Sequence, residues 1–136
     1  MESNKIICDT DVLIDYFDTA KSRHRATQQI IENEIGLDNI VIPAITKMEL
    51  IAGVINKAEL RLLNKNIYRL NLFLINPEIS SIGINLIEAY KLSHGLNIAD
   101  ALIAATAIYT DLRLFTYNTK DYKFIDGLKL YNAVRV

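Results

Sequence analysis

Residues 6–15 read IICDTDVLID, a short apolar run that ends at an aspartate and leads into the start of a helix. Three apolar residues are too few to show the alternation of a half-exposed strand, which favours a strand covered on both faces. Similar runs occur at Ile40–Ile42, which Pro43 ends, and at Leu112–Thr116. Because helical patterns separate these strands, the sequence predicts an α/β fold with a mainly parallel sheet between layers of helices.

The remaining elements follow from apolar spacing and from residues that begin or end helices. The predicted helices are Asp11–Phe17, a segment from an N-cap at Ser22 to near Gly36, Thr46–Gly53, Lys57–Phe73, Ser80–Gly95 and Asn97–Tyr109. We also expect a poorly marked strand at Leu74-Ile75 and an edge strand at Leu128–Tyr131.

Composition limits the class of protein. The chain has 136 residues, which predicts one domain spanning residues 1–136. A hydrophobic share of 51% with 23% charged residues excludes a disordered chain. One cysteine excludes an intrachain disulfide, and no Cys/His cluster has the spacing of a zinc site. With 15 Lys+Arg against 16 Asp+Glu, a nucleic-acid partner would have to be held by local patches rather than by net charge.

The sequence predicts a cytoplasmic protein with no membrane association. The residues before Asp9 have neither the long apolar core nor the small-residue cleavage site of a signal peptide. A charged or amide residue interrupts every long apolar stretch, as Asp100 interrupts Ile98–Tyr109. No uninterrupted apolar stretch is therefore long enough to cross a bilayer.

Three carboxylates stand in apolar surroundings. Asp9 directly follows a strand, Glu49 lies in a helical stretch beside Leu50, and Asp100 lies in one of the most apolar helices of the chain. Each also has a simpler interpretation. Asp9 suits a helix N-cap, Glu49 an exposed helix position, and Asp100 a variant capping box with Asn97.

One divalent cation would explain all three carboxylates together. Burying an ionised carboxylate is costly unless a cation compensates it, and neighbouring carboxylates raise one another's pKa. Carboxylate and water ligands suit Mg²⁺ or Mn²⁺, which serve phosphoryl chemistry. The loop after the strand near Leu114 adds Thr116, Asn118 and Asp121. This loop is either an ordinary turn or part of the same crevice as Asp9.

Four segments in order resemble the motif blocks of PIN-domain ribonucleases, specifically VapC-type toxins of toxin–antitoxin pairs. They are DTDVLID at residues 9–15, TKMELIAG at 46–53, IADALIAATA at 98–107 and LFTYNTKDY at 114–122. The resemblance implies a three-layer α/β/α sandwich and endonucleolytic cleavage of RNA that depends on one or two Mg²⁺ or Mn²⁺ ions. It assigns Asp9 and Asp100 as the principal metal ligands and Glu49 as a third acidic residue that binds or orients metal and water. The fourth catalytic position falls on Asn118, with Asp121 three residues beyond.

The resemblance also implies partners: an RNA substrate (tRNA, rRNA or mRNA), a VapB-type antitoxin that blocks the acidic cleft, and a second copy of the chain in a homodimer. Three residues depart from the family pattern. Asp11 stands where Asn or Ser is common, Asn118 where Asp is common, and Tyr122 where Phe is more usual. We interpret the change at Tyr122 as minor.

Other interpretations stay open at this level. The protein could be an RNA-processing nuclease that is not a toxin, or a module that binds RNA or protein with weak catalysis, which the amide of Asn118 favours. DTDV at residues 9–12 also resembles the start of haloacid-dehalogenase-type phosphatases, although Leu13 does not fit that motif. A basic stripe recurs every four residues at Lys57, Arg61, Lys65 and Arg69. It could grip RNA phosphates or simply be the solvated face of a helix.

Overall fold

A computed structural model describes residues 4–133, so both ends of the predicted domain 1–136 extend beyond the described residues. A four-stranded sheet lies at the centre, and every strand pairing in it is parallel. The strands in chain order are β1 (Ile6–Cys8), β2 (Ile40–Pro43), β3 (Asn71–Phe73) and β4 (Arg113–Phe115). Their order across the sheet is β3–β2–β1–β4, so β1 and β2 are central and buried throughout.

Helices connect the strands and cover both faces of the sheet. They are α1 (Thr10–Phe17), α2 (His24–Gln29), α3 (Ala44–Ala52), α4 (Lys57–Ile67), α5 (Pro77–His94) and α6 (Ile98–Thr110). A π-helix over Ile30–Ile35 continues α2, and 3₁₀ turns occupy Leu37–Asn39 and Thr119–Asp121.

The side chains of the central strands divide the core in two. Ile7 points to a cluster built with α5 and α6, whereas Ile6 and Cys8 point to a cluster built with α1, the π-helix and α4. This alternation is the two-residue period of an extended strand. It confirms the predicted α/β/α sandwich, because short apolar strands without polar alternation must be covered on both sides.

The predicted helix Lys57–Phe73 is wrong at its C-terminal end. Helix α4 ends at Ile67. The third strand, β3, is formed by Asn71–Phe73, just before the Leu74-Ile75 segment at which it was expected. The strand exists because it pairs with β2 and because the Asn71 amide donates to the carbonyls of Asp38 and Ile40, at 2.8 and 2.9 Å. Arg69 therefore lies beyond the helix that carries the rest of the basic stripe.

Two smaller differences concern the ends of elements. Helix α2 begins at His24 after Arg23, so the N-cap predicted at Ser22 is wrong, although the helical segment does end at Gly36. In place of a full strand at Leu128–Tyr131, only Leu130 bridges to β4, through Leu114.

Two further features concern the apolar helices and the cysteine of the described residues. Over residues 4–133, no helix is both long enough and apolar enough to cross a membrane. Cys8 is completely buried in β1.

The carboxyl ends of the strands meet at one edge of the sheet, which is where ligands bind in parallel α/β folds. Helix α1 begins directly after β1, α3 directly after β2, and a loop containing Thr116 follows β4. The elements that carry the predicted site residues of the first, second and fourth motif blocks therefore all begin at this edge of the sheet.

Candidate active site

Asp9 lies at the junction of β1 and α1 and is only 5% exposed. Its backbone N–H donates to the carbonyl of Phe115 at 2.9 Å, which holds the junction against β4. Its Oδ1 accepts from the backbone N–H of Thr10 at 2.8 Å, and its Oδ2 accepts from the hydroxyl of Thr116 at 2.7 Å. Asp9 is therefore the N-cap of α1, and its second oxygen is turned toward the loop after β4.

Asp100 lies half-buried in the first turn of α6. The side-chain oxygen of Asn97, the N-cap residue, accepts from the backbone N–H of Asp100 at 2.8 Å. The Asn97 amide also donates to Oδ2 of Asp100, at 3.4 Å. Asn97 is therefore the N-cap of α6, as predicted, but the pair is not a capping box, because the Asn97 side-chain amide rather than its backbone N–H donates to Asp100. The same contacts orient the Asp100 carboxylate.

Tyr122 lies at these two carboxylates. It is 1% exposed, its hydroxyl donates to Oδ1 of Asp100 at 3.0 Å, and the charges of both Asp9 and Asp100 act on it. Burial, then the charges of Asp9 and Asp100, hold the pKa of Tyr122 far above its usual range, so the phenol remains a donor.

The exchange of Phe for Tyr at position 122 is therefore not the minor change expected from the sequence. The available signal was the hydroxyl itself, because a buried phenol needs a hydrogen-bond partner.

Glu49 joins the site through Thr10. Glu49 is exposed on α3, and its Oε1 accepts from the hydroxyl of Thr10, the residue that follows Asp9. The interpretation of Glu49 as an exposed helix residue is therefore correct. The contact with Thr10 nevertheless places Glu49 beside the junction of β1 and α1.

The carboxylates disturb one another electrostatically. Burial, and then the charge of Asp11, raises the pKa of Asp9 to about 6. Burial is also the largest cause of the raised pKa of Asp100, and the charges of Asp9, Asp121 and Glu49 add to it. Over residues 4–133, neither Asp9 nor Asp100 makes an ion pair. The charges of Asp9 and Asp100 therefore act on each other, and no ion pair within the described residues neutralises either of them.

The donor chemistry fits Mg²⁺ or Mn²⁺ bound largely through water. Asp9 and Asp100 supply hard oxygen donors, and Mg²⁺ is commonly bound by one or two carboxylates while it keeps several waters. As the side chains of residues 4–133 stand, no group of three His, Cys, Asp or Glu is arranged to hold an ion. Because Glu49 is hydrogen-bonded to Thr10, it is better suited to a position beside an ion than to direct coordination as one of three carboxylates.

Asn118 and Asp121 lie in the loop after β4, and both are exposed. The backbone N–H of Asn118 donates to the hydroxyl of Thr116 at 3.0 Å, and its carbonyl accepts from the N–H of Asp121 at 2.9 Å. Both the turn and the crevice interpretation of this loop therefore hold, because the turn supports Thr116 on Asp9. Asp121 lines the same recess as Asp100, and its charge adds to the raised pKa of Asp100, of which burial is the largest cause.

A second network, missed by sequence analysis, fastens this loop to the first two helices. The Arg23 guanidinium pairs with Asp15 at 2.7 Å and lies over the ring of Tyr117, 4.1 Å from its centroid. The backbone N–H of Tyr117 donates to Oδ2 of Asp11 at 3.1 Å, and its hydroxyl lies 2.6 Å from that of Thr27. The spacing of Asp11 and Asp15 on one helix face was the only sequence signal for this network.

No curated protein sequence matches the chain significantly. Solved structures resemble it over nearly the whole length. A toxin–antitoxin complex from Klebsiella pneumoniae contains a chain that is 28% identical, with a TM-score of 0.75; the match covers 96% of this chain and all of that one. VapBC2 from Rickettsia felis, bound to a promoter DNA fragment, matches at 24% identity and a TM-score of 0.72, covering 93% and 97% of the two chains.

A more distant structure shares the fold at 10% identity. It is VapC20 of Mycobacterium tuberculosis, described as a toxin that cleaves the sarcin–ricin loop, with a TM-score of 0.67 and coverage of 90% of this chain and 98% of that one. The match to the PIN domain family model extends over residues 6–127 and takes in every predicted site residue. It excludes the phosphatase interpretation of residues 9–12. With that match and with acidic side chains gathered at the carboxyl edge of a parallel sheet, the chain belongs to the PIN domain family.

Proposed function

We propose that the protein is the toxin of a toxin–antitoxin pair, a VapC-type endoribonuclease that hydrolyses RNA phosphodiester bonds with the help of Mg²⁺ or Mn²⁺. The observation that carries this proposal is the pair of carboxylates Asp9 and Asp100, which act on each other electrostatically and make no ion pair in residues 4–133, while Tyr122 donates to Asp100. Membership of the PIN family and the likeness to structures described as toxins support it.

Asp9 and Asp100 would hold one or two ions, with Glu49 as the third acidic residue. Bound there, Mg²⁺ or Mn²⁺ supplies a water of lowered pKa and a positive charge that stabilises the attacking and leaving oxygens. Thr116 fixes Oδ2 of Asp9, and Tyr122 and Asn97 fix the two oxygens of Asp100, so the ligands are oriented before substrate binds.

The remaining residues act on the substrate and on water. With Oε1 held by Thr10, Glu49 can accept a proton from the attacking water through Oε2. The water oxygen bonds to phosphorus while the bond to the 3′ oxygen breaks. Asn118 and Asp121 stand at the fourth catalytic position, where the loop after β4 would meet the RNA.

The antitoxin would bind in a groove that leads to Glu49. This groove lies between α1, α3 and α4 and has a volume of about 590 Å³. Apolar side chains are exposed along it, with Ile14 at 40% and Leu62 at 60%, and acidic groups including Glu49 and Glu59 line it. It therefore suits an amphipathic VapB-type segment that brings a basic side chain toward the carboxylates.

The proposal also includes a homodimer and a cytoplasmic location, where the tRNA, rRNA or mRNA substrate is found. Exposed apolar side chains outside the groove, such as Leu74 at 66% and Ile84 at 62%, are available for contact between copies. A second candidate is a nuclease of RNA processing with no antitoxin, or a weakly catalytic binding module. The amide at Asn118 favours the binding module, because that position lacks the usual carboxylate.

Two substitutions test the proposal. Asp9→Asn and Asp100→Asn preserve side-chain shape but remove a ligand charge, so each should reduce Mg²⁺-dependent RNA cleavage by about 100-fold or more, beyond the loss typical of outer-shell changes. The matched control is Glu88→Gln, an exposed position on α5, which should cleave as the wild type does. Normal cleavage by Asp100→Asn in Mg²⁺ would contradict the metal assignment.

Expression in cells separates the toxin from the second candidate. Induction of the wild type should stop growth and create new RNA ends, whereas Asp9→Asn should do neither. Growth unaffected by an active nuclease would instead favour RNA processing.

A further inference from the structure

A small recess lies next to Asp100, on the side formed by the end of α5. Its volume is about 170 Å³, and His94, Asn97, Lys120 and Phe124 contribute to its walls together with the carboxylates of Asp100 and Asp121. Pockets that enclose drug-sized ligands are about 300–1,000 Å³. This recess is therefore suited to a single ring rather than to a larger molecule.

A fixed aromatic stack forms one wall of the recess. The rings of His94 and Phe124 are nearly parallel, with centroids 4.0 Å apart and an angle of 8°. Tyr90 meets both rings at steep angles, with centroids 5.9 Å from His94 and 5.2 Å from Phe124. Ser93 also bonds to Nδ1 of His94 at 2.7 Å. Because His94 is exposed and Phe124 covers one of its faces, a flat, oriented ring is presented to a ligand.

The connection between α5 and α6 places the ring of His94 beside the candidate active site. Helix α5 ends because Gly95 adopts φ 70°, the left-handed conformation that favours glycine, and its N–H donates to the carbonyl of Lys91 at 2.8 Å. Asn97 then caps α6 and orients Asp100. The short turn thus fixes His94 on the same side of the molecule as a proposed metal ligand.

The recess also carries one positive charge, Lys120, together with the negative charges of Asp100 and Asp121. Lys120 is exposed on the 3₁₀ turn after β4 and lines the recess. A flat ring with a neighbouring ammonium group matches the two parts of a nucleotide, an aromatic base and a phosphate. Proteins bind single-stranded nucleic acid through this combination of stacking and positive charge.

We propose that this recess binds one unpaired RNA nucleotide next to the bond that is cleaved, with its base stacked on His94 and its phosphate paired with Lys120. The inference rests on the proposed ribonuclease function, because it names a substrate subsite of the same site. The nucleotide must be unpaired, since a base in a helix is already stacked between its neighbours. The geometry thereby selects single-stranded segments or loops of RNA.

Binding can be measured apart from catalysis, with the full chain in EDTA. The probes are single-stranded oligoribonucleotides that carry 2-aminopurine at one position each, whose fluorescence falls when the base stacks. At one position the wild type should quench the probe, and His94→Ala should remove the quenching and weaken binding by about 5- to 100-fold. His94→Phe should restore both, because it keeps a ring without the imidazole nitrogens.

Two further variants separate stacking from charge. Lys120→Ala should leave the quenching but reduce the slope of log affinity against log salt by about 0.7, the contribution of one phosphate contact on a single strand. The matched control is Tyr68→Ala, which removes a 90% exposed aromatic residue at the end of α4 and should change neither signal. Circular dichroism confirms that each variant is folded.

The outcomes distinguish this inference from the proposed function. Equal binding and quenching by wild type, His94→Ala and His94→Phe would overturn the subsite, and so would failure of the wild type to bind any probe. In either case, loss of cleavage in Asp100→Asn would still support the nuclease. Normal cleavage by Asp100→Asn would overturn the metal assignment, while quenching that depends on His94 would still demonstrate the nucleotide subsite.

Discussion

The hydroxyl of Tyr122 is one oxygen atom more than a phenylalanine would carry, and it donates to Asp100 beside Asp9. Burial raises the pKa of both Asp9 and Asp100, and the Tyr122 hydroxyl acts against this increase. A carboxylate with a lower pKa gives up its proton more readily to a metal ion. We therefore expect Tyr122 to act as a positioning residue that favours metal binding in mildly acidic solution.

We expect Tyr122→Phe to weaken Mg²⁺ binding by about 3- to 10-fold at pH 6, within the range seen when partners of metal ligands are removed. At pH 8 the loss should be smaller, because both carboxylates are then ionised with or without the phenol. Calorimetric titration with Mg²⁺ at the two pH values measures this difference. The matched control is Tyr16→Phe, which removes a phenol bonded at 2.7 Å to Glu32 away from the site and should bind Mg²⁺ as the wild type does. An equal loss at both pH values would contradict the role assigned to the hydroxyl.

Among single residues, the sequence indicates those whose burial has a free-energy cost that can be recognised from the neighbouring residues alone. Asp9 after an apolar strand and Asp100 in an apolar helix are conspicuous because a carboxylate there needs compensation. Tyr122 and Arg23 are not conspicuous, because their importance depends on which side chains lie opposite them in the folded chain. The roles assigned to Asp9, Glu49, Asp100, Asn118 and Asp121 remain predictions.

At the scale of elements, α4, α5 and α6 begin in the same way. Each has an asparagine N-cap whose side-chain oxygen accepts from the backbone N–H three residues later, at 2.8 Å: Asn56, Asn76 and Asn97. Only Asn97 has a site residue as its partner. The chain thus offers an internal comparison between a cap that begins a helix and a cap that also orients a carboxylate.

Asn76→Ala and Asn97→Ala should each reduce the free energy of unfolding by about 1 kcal/mol, because each removes one N-cap bond. Only Asn97→Ala should also reduce RNA cleavage, by about 10-fold, since the Asp100 carboxylate loses a donor. Urea denaturation and a cleavage assay measure the two effects separately.

Asn97→Ser refines this comparison. Serine supplies the capping oxygen without the amide donor, so it should recover stability but not cleavage. If Asn76→Ala reduced cleavage as much as Asn97→Ala, the loss would be a consequence of instability alone.

The elements also show why part of the fold could not be predicted. Strands β1 and β2 are central, and their apolar runs mark them directly. Strand β3 is a partly exposed edge strand, and its residues continue the helical apolar spacing of α4. Only pairing with β2 makes it a strand, and that pairing joins residues far apart in sequence. A local pattern cannot contain this information.

At the scale of the whole molecule, the active site makes metal-free stability depend on pH. Asp9 has a pKa of about 6 when folded against an ordinary value of 3.8, so between these values the folded state binds more protons than the unfolded one. The free energy of unfolding must therefore fall as pH rises through this range. Burial raises the pKa of Asp100 as well, which acts in the same direction.

We predict that Asp9→Asn stabilises the metal-free protein at pH 7.5 by about 1–3 kcal/mol, because it removes a buried charge, and has little effect at pH 4. Thermal unfolding in EDTA at both pH values measures the difference, with Glu88→Gln as the control for loss of an exposed charge. Excess Mg²⁺ at 100 times its dissociation constant should stabilise the wild type by about 2.7 kcal/mol and Asp9→Asn by much less. A stability difference that is the same at both pH values would contradict the burial of an ionised Asp9.

The position of Cys8 has a practical consequence. It is the chain's single cysteine, it is completely buried, and burial raises the pKa of its thiol above the usual range. The native fold therefore offers almost no thiolate to maleimide reagents. A cysteine engineered onto the surface would then be the residue that reacts with a fluorophore or spin label, and Cys8 would not have to be replaced first. Energy transfer or electron paramagnetic resonance could follow assembly of the labelled protein with its partners.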